Sequence, residues 1–430
     1  MLKQIKRIKS AFLFTILAGM VTIFVPESKA QNSPQWRGAN RDGVWSNTGI
    51  VLDFTKSKPP MAWVFREAGE GYSSPTIVGN TLYCQGTEKG GDFAFALDTQ
   101  TGKLKWKQTL GELFVQDRGN GPRGSVTVDG DKLYLIRGGG QIHCLSAATG
   151  KMLWQKDFRK DFGGNIMSRQ KDWGFSESPL VDGNLVICTP GGDKGTMIAL
   201  NKNSGAVVWR SKEWTDLGGY SSPIVAEVAG VRQYIQLTRQ GVAGIAAKDG
   251  KLLWSANIAG NNTAAIPTPI YRNNVVYVTS GYRAGCGAVR LTKEGAGFRA
   301  EVLYTNNDVS NHHGGVVLVG DYIYGFSDVS GWVCQNFKTG EIVWKNRIQE
   351  SGKGAVICID NRLLLQDERT GTLTVIEAGP GGWKEYGRME FPERSQAEST
   401  DKMVWTHPVL AGGKLYLRDH NLLFCYELKR

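Results

Sequence analysis

The chain has 430 residues, with 51 Lys and Arg against 40 Asp and Glu, a formal charge of +11, and 55 glycines beside only 14 prolines. With 41% apolar residues and 13 tryptophans, it describes a turn-dense, aromatic-rich folded protein and excludes a disordered one. The basic balance suits colloidal solubility, and it favours anionic polymers or acidic lipid over nucleic acid as neighbours.

Residues 1–30 read as a signal peptide. Lys3, Lys6, Arg7 and Lys9 form a basic head, residues 11–25 are uncharged and mostly apolar, and Ser28-Lys29-Ala30 supplies small residues at the two positions a signal peptidase reads. The run of fifteen residues falls short of the ~20 that a spanning helix needs. Cleavage after Ala30 leaves Gln31 first, with 46 basic against 39 acidic residues, or +7. The mature chain is expected to be periplasmic or secreted and soluble, at most peripheral at the envelope. Residues 31–58, which include QWRGANRDGVWSN, are expected to lie across the outside or bottom of the fold.

From residue 59 onward two elements alternate. One is a pair of short apolar runs hinged on Gly, Asp or Asn, as in SPTIVGNTLYC from residue 74, SPLVDGNLVIC from 178 and HPVLAGGKLYL from 407. Each predicts a tight β-hairpin. The other is an eleven-residue phrase: ALDTQTGKLKW at 96–106, then CLSAATGKMLW, ALNKNSGAVVW, GIAAKDGKLLW and CQNFKTGEIVW, the last ending at Trp344. Its Asp or Asn can cap backbone N–H groups two residues ahead, its Gly permits positive φ, and its Trp ends an outer strand. Hairpin plus phrase makes four strands every ~45 residues, the period of propeller blades.

Eight hairpins predict an all-β protein: an eight-bladed β-propeller of four-stranded antiparallel blades spanning residues 59–430. The last unit stops after three strands, whereas residues 59–66 supply a Trp-bearing strand with no hairpin before it. That N-terminal strand is expected to complete the last blade, so the ring closes without an open edge. Trp63, Trp106, Trp154, Trp209, Trp254 and Trp344 are therefore structural. Two repeats depart from the phrase: 290–304 ends in Tyr304, and 375–389 replaces the turn with AGPGGWKEYGRM.

The seven cysteines include no CxxC and no adjacent pair. Six lie in strand-like runs as small hydrophobes and Cys286 sits among loop glycines, so a disulfide framework and a Cys-based zinc site are not expected. No GxSxG, HExxH or GxxxxGK[ST] motif occurs.

The A-x-D-x-x-T-G-x-x-x-W phrase resembles the tryptophan-docking repeat of the pyrroloquinoline quinone (PQQ)-type propellers. Together with PQWRGANRDGV, NHHGGVVLVGDYIYG and THPVLAGGKLYLRD, it is similar to the secreted PQQ-like propellers of planctomycetes. These are related in fold to the propeller lipoprotein of outer-membrane barrel assembly and to polyvinyl-alcohol dehydrogenase and other quinoprotein dehydrogenases. The dehydrogenase resemblance implies PQQ and calcium as cofactors, a Cys-Cys disulfide against the quinone and an acidic base. No Cys-Cys is present, and Glu177 is the best-placed acid.

In a propeller, the loops leading into the innermost strands surround the channel mouth. Those loops offer Tyr72, Arg123, Glu177, Tyr220, His312, His313, Lys353 and His407, with Trp173 and Trp405 close by. Adjacent on a strand, His312 and His313 point to opposite faces and are not expected to ligate one metal. Two readings follow: a non-catalytic envelope binding or scaffold propeller, taking a polar or anionic ligand, a polysaccharide or a protein at the mouth, or a PQQ-dependent alcohol dehydrogenase.

Overall fold

The computed structural model describes residues 32–167, 172–347, 352–397 and 402–428. The signal-peptide expectation, with its cleavage site after Ala30, falls outside them. Among the described residues, eight four-stranded antiparallel units follow one another around a ring. Blade 1 spans 76–111, blade 2 127–157, blade 3 180–210, blade 4 224–256, blade 5 270–306, blade 6 316–346, and blade 7 354–389. Blade 8 takes three strands from 409–427 and its outer strand, Met61–Phe65, from the other end of the chain. Trp63 lies opposite Cys425 in that pair, so the N-terminal strand closes the ring. No helix among the described residues is long and apolar enough to cross a membrane.

The Trp phrase works at blade boundaries. The ring of Trp106 lies against Gly150 of the next blade while its indole Nε1 donates to Ala147 O at 3.0 Å. Trp63, Trp154, Trp209 and Trp344 make the same bond, to Thr99, Lys202, Ala247 and Gly379. Gly150 is required twice over. Its φ is +73°, and a Cβ there would stand 2.5 Å from the Trp106 ring. Asp98 Oδ1 meanwhile accepts from the Gln100 and Thr101 amides, tying the turn.

Across each outer strand pair the Trp faces a small residue: Ala96, Cys144, Ala199, Gly244, Cys334 or Cys425. Directly opposed Cβ atoms stand only ~5 Å apart, so a wide indole needs a short partner. This places three of the cysteines, and all seven are free and buried. Cys286, expected in a loop, is the second residue of the packed strand Gly285–Glu294.

Both divergent repeats keep their outer strands, Gly297–Asn306 and Glu385–Met389. Tyr304 takes the Trp place, with its ring against Gly340 and its hydroxyl donating to Phe337 O at 2.8 Å. Trp254 is the exception. Blade 5 replaces the docking turn with a long hairpin, and the Trp254 indole bonds Gln233 Oε1 of its own blade at 2.5 Å instead.

The boundary between blades 8 and 1 carries a further lock. Arg418 is fully buried, and its guanidinium donates to the carbonyls of Ser73, Gln85, Ala68, Gly69 and His420. Five carbonyl dipoles solvate the cation there.

Residues 33–45 overturn one expectation. They enter the channel rather than lying outside or below the ring. Ser33 pairs with Ile77 of blade 1, Pro34 O accepts from Val128 of blade 2, and Val44–Trp45 adds a parallel strand to the inner edge of blade 7. Arg41 Nη2 reaches Ser178 O at 2.8 Å, and Arg37 Nη2 reaches Val316 O. Trp45, 2% exposed, is packed in the core that joins blades 7, 8 and 1. The segment is a plug.

Candidate functional site

Every innermost strand begins at the same end of the ring, and the loops feeding those strands surround a cavity of about 410 Å³. The plug forms its floor. Trp36 Nε1 donates to Thr268 Oγ1 at 2.9 Å, and the Trp36 ring meets His407 at 4.6 Å with a 60° tilt.

Of the ten rim residues the sequence offers, Tyr72, Arg123, Trp173, Tyr220, His312, His313, Trp405 and His407 line this one cavity. Lys353 stands behind the wall, with Nζ 2.6 Å from His312 Nδ1 and 2.8 Å from Asp328 Oδ1. Glu177 departs from the expectation. Its side chain is buried beneath the mouth, where Oε1 accepts from the Thr189 amide at 2.6 Å, and it is not part of the lining. The cause is the local fold: Ser178 Oγ accepts from the Ser125 amide, and the Glu177 carbonyl packs beside Gly124 of blade 2, which turns the carboxylate inward.

Trp36, Arg37, Arg118, Tyr282 and the hydroxyls of Ser178, Ser222 and Thr268 also line the cavity, and none was singled out from sequence. The dense WRGANRDG run was the available signal for Trp36 and Arg37. Tyr282 had none, because its place depends on a left-handed backbone, φ +58°, at the loop tip.

The lining has a definite electrostatic character. Arg37, Arg118 and Arg123 face it, and no Asp or Glu does among the described residues. Burial lowers Arg37 to about 10, still cationic at neutral pH. Arg123 is anchored by Nη1 and Nη2 bonds to Gly121 O and Gly119 O. Desolvation lowers His407 to about 3, helped by the nearby Arg37 charge, and His312 to about 3, helped by His313 and Lys353. Both imidazoles are neutral. The Lys353 ammonium can only donate to His312 Nδ1, so His312 Nε2 carries the hydrogen and donates to the Tyr282 hydroxyl, 2.8 Å away.

Glu368, an acid in contact with the lining residues His313 and Trp405, is occupied. Burial alone would raise it, but His313 Nε2, 2.9 Å from its Oε2, and a hydrogen bond from Trp405 Nε1 at 2.7 Å hold it at about 2. Glu177 moves the other way: desolvation pushes it up to about 7 against the pull of the Thr189 amide and Arg41.

This donor set does not fit calcium, which takes six to eight oxygen ligands including carboxylates. Among the described residues no three His, Cys, Asp or Glu side chains are grouped to hold a metal. The ring pairs are steeply tilted: Tyr72 on Trp405 by 44°, His313 on Trp405 by 54°, Tyr282 on His312 by 78°. They make a faceted cup rather than two parallel plates for a flat quinone.

Ring, docking phrase and central cup together define a β-propeller of the PQQ-repeat class. The family model described as outer membrane protein assembly factor BamB matches residues 89–346. The chain belongs to that family. It is similar to BamB of Shewanella oneidensis, with 22% identity over 316 residues, 64% of this chain and 76% of that protein. Among solved structures it resembles BamB of Moraxella catarrhalis, with TM-score 0.59 and 16% identity, covering 87% of this chain and 99% of that one. It also resembles the quinohemoprotein alcohol dehydrogenase of Comamonas testosteroni, with TM-score 0.60 and 12% identity, covering 92% and 80%. At these identities the likeness to the solved structures is one of fold.

Proposed function

We propose that this protein is an exported, non-catalytic binding propeller of the cell envelope, recognising a polar or anionic ligand or a protein partner at the channel mouth. One observation carries the reading: the mouth is a floored cup whose charged lining is cationic, with neutral imidazoles and no carboxylate among the described residues. A concave, mostly apolar pocket with a few fixed polar groups is the common form of a binding site. Membership of a family described by outer-membrane assembly supports an envelope setting and a protein partner.

The dehydrogenase alternative rests on fold likeness, and fold does not carry function. Its proposed base, Glu177, does not reach the cavity, and the calcium donors are not assembled there.

The test is retention of the mature protein on an envelope fraction. Arg123→Ala combined with Tyr282→Ala is expected to abolish retention while leaving the melting temperature near wild type; Lys107→Ala on the outer edge is expected to change nothing. Retention unaffected by the mouth pair would reject the reading. So would dye-linked alcohol oxidation by the wild type once PQQ and calcium are added.

A further inference from the structure

We infer that Tyr282 donates its hydroxyl proton to the ligand, and that the cup takes a neutral carbonyl group carried on an apolar or aromatic body. This rests on the mouth being a binding site and adds the chemical class of its occupant.

Bond direction singles out this hydroxyl. Several polar groups of the wall are engaged within the protein. Tyr72 Oη donates to Arg118 O at 2.8 Å, Trp36 Nε1 to Thr268 Oγ1 at 2.9 Å and Trp405 Nε1 to Glu368 Oε2 at 2.7 Å, while Arg37 and Arg123 hold backbone carbonyls. Tyr282 stands at the receiving end of a chain. Asp328 holds Lys353 at 2.8 Å, the Lys353 ammonium faces His312 Nδ1 at 2.6 Å, and His312 Nε2 therefore donates to Tyr282 Oη at 2.8 Å. The phenol oxygen accepts in that bond, so its own proton is left to give. Burial and the nearby Asp328 charge raise Tyr282 above its ordinary 10, which keeps the proton on the oxygen at neutral pH.

The backbone is strained to put the hydroxyl there. Ala284 N bonds Gly281 O at 3.1 Å across a two-residue turn in which Tyr282 and Arg283 both have positive φ, +58° and +63°. Such a turn favours Asn and Gly, and the first hairpin of the same blade uses Asn273 and Asn274 in it. A bulky pair in that conformation persists where the strain serves a site. Here the turn sets the Tyr282 ring edge-on to His312, at 4.7 Å and 78°, and leaves the residue 43% exposed on the cup lining.

The rest of the lining decides what the acceptor is attached to. Trp36, Ile266, Pro267 and Trp405 present apolar surface, and the imidazoles of His312 and His407 are neutral. A carboxylate entering the cup gives up its hydration and finds Arg37 and Arg123 already held by carbonyls. A neutral carbonyl loses less on desolvation and is satisfied by one O–H donor. A hydrocarbon without an acceptor leaves the Tyr282 proton unpaired. At about 410 Å³ the cup has the size of a small-ligand pocket. A free aromatic amide and the backbone amide beside an apolar residue of a polypeptide both supply this group.

The experiment measures dissociation constants of N-methylbenzamide, benzoate, toluene and a capped Gly-Phe-Gly tripeptide by ligand-observed NMR, for the mature full chain and its Tyr282→Phe and Lys353→Met variants. N-methylbenzamide is expected to bind the wild type, and each variant ~5-fold more weakly, or about 1 kcal/mol. Tyr282→Phe removes the proton; Lys353→Met lets His312 Nε2 accept it instead. Toluene, which has no acceptor, is expected to bind all three proteins alike. Equal binding of N-methylbenzamide by the wild type and Tyr282→Phe overturns the donor role, as does an equal loss for toluene. An unchanged Lys353→Met overturns the positioning chain, and tighter binding of benzoate overturns the neutral class. The tripeptide separates the two sources: binding tighter than that of N-methylbenzamide assigns a polypeptide, weaker binding a free small amide. If no probe binds yet the mouth variants still lose envelope retention, this inference fails and the proposed function stands. If retention is also indifferent to the mouth, both fail together.

Discussion

The blade boundaries and the channel mouth are built on opposite plans. At the boundaries one solution recurs: an indole laid on the next blade's glycine and bonded to a nearby carbonyl, as at Trp106 on Gly150 and Trp154 on Gly205. At the mouth the blades contribute a mixed set, Tyr ahead of blades 1 and 4, Arg123 ahead of blade 2 and His ahead of blades 6 and 8, and the floor comes from a segment outside the repeat altogether. A phrase that serves most interfaces in the same way cannot by itself build one asymmetric site. Recognition is left to what the repeat omits.

The sharpest way to break this comparison is at the one boundary with its own lock. Arg418→Met leaves five buried carbonyls without their donor, and a cost of about 5 kcal/mol is expected in denaturant unfolding. A loss under ~1 kcal/mol would mean the closing boundary needs only its Trp.

Trp154→Ala should cost about 3–5 kcal/mol. Trp45→Ala, in the plug, is expected to cost as much, because Trp45 is 2% exposed against 9% for Trp154. A segment lying across the outside or bottom of the ring would make Trp45→Ala mild; its burial in the channel reverses that. If Trp45→Ala proves mild, the plug is only loosely packed.

The glycines allow a finer comparison. Gly150→Ala meets both a positive φ and the Trp106 ring, whereas Gly79→Ala has φ +56° and open space around its Cβ. About 3 kcal/mol is expected at Gly150 and about 1 kcal/mol at Gly79, measured by thermal unfolding. Equal losses would show that the ring contact adds nothing.

The smallest expected effect is pH-dependent. Glu177 is held up at about 7 by burial, above the ordinary 4.5. The folded state therefore holds this proton more tightly than the unfolded chain, so its contribution to stability is greatest below about 4.5 and declines as pH rises towards 7. Glu177→Gln removes that decline, and its advantage over wild type should grow by about 2 kcal/mol between pH 5 and pH 7. A pH-independent difference would mean Glu177 titrates normally.

The ring was legible because its period, its glycines and its tryptophans are local signals copied many times. The identity of the closing strand followed from a missing strand at one end and a spare one at the other. Eight of the ten rim residues were legible from one geometric fact, that they precede innermost strands. Glu177 sits in such a loop too, but the turn beside Gly124 points its carboxylate inward, which no spacing rule reveals. The plug was illegible for a different reason. Most of its contacts are to the backbone of blades 1, 2, 3, 6 and 7, and a backbone carbonyl accepting from Arg37 or Arg41 leaves no mark in the partner's sequence.

The central claim is that residues 33–45 belong to the folded channel and floor the cup. Native-state hydrogen exchange tests it directly. The amides of Ser33 and Gly43, bonded to Ile77 O and Arg37 O, and those of Ile77 and Cys358, bonded to Ser33 O and Gly43 O, are expected to exchange as slowly as amides of the neighbouring strands Thr81–Glu88 and Arg362–Asp367. Exchange at the rate of a free tail, with those neighbouring strands still protected, would contradict the account.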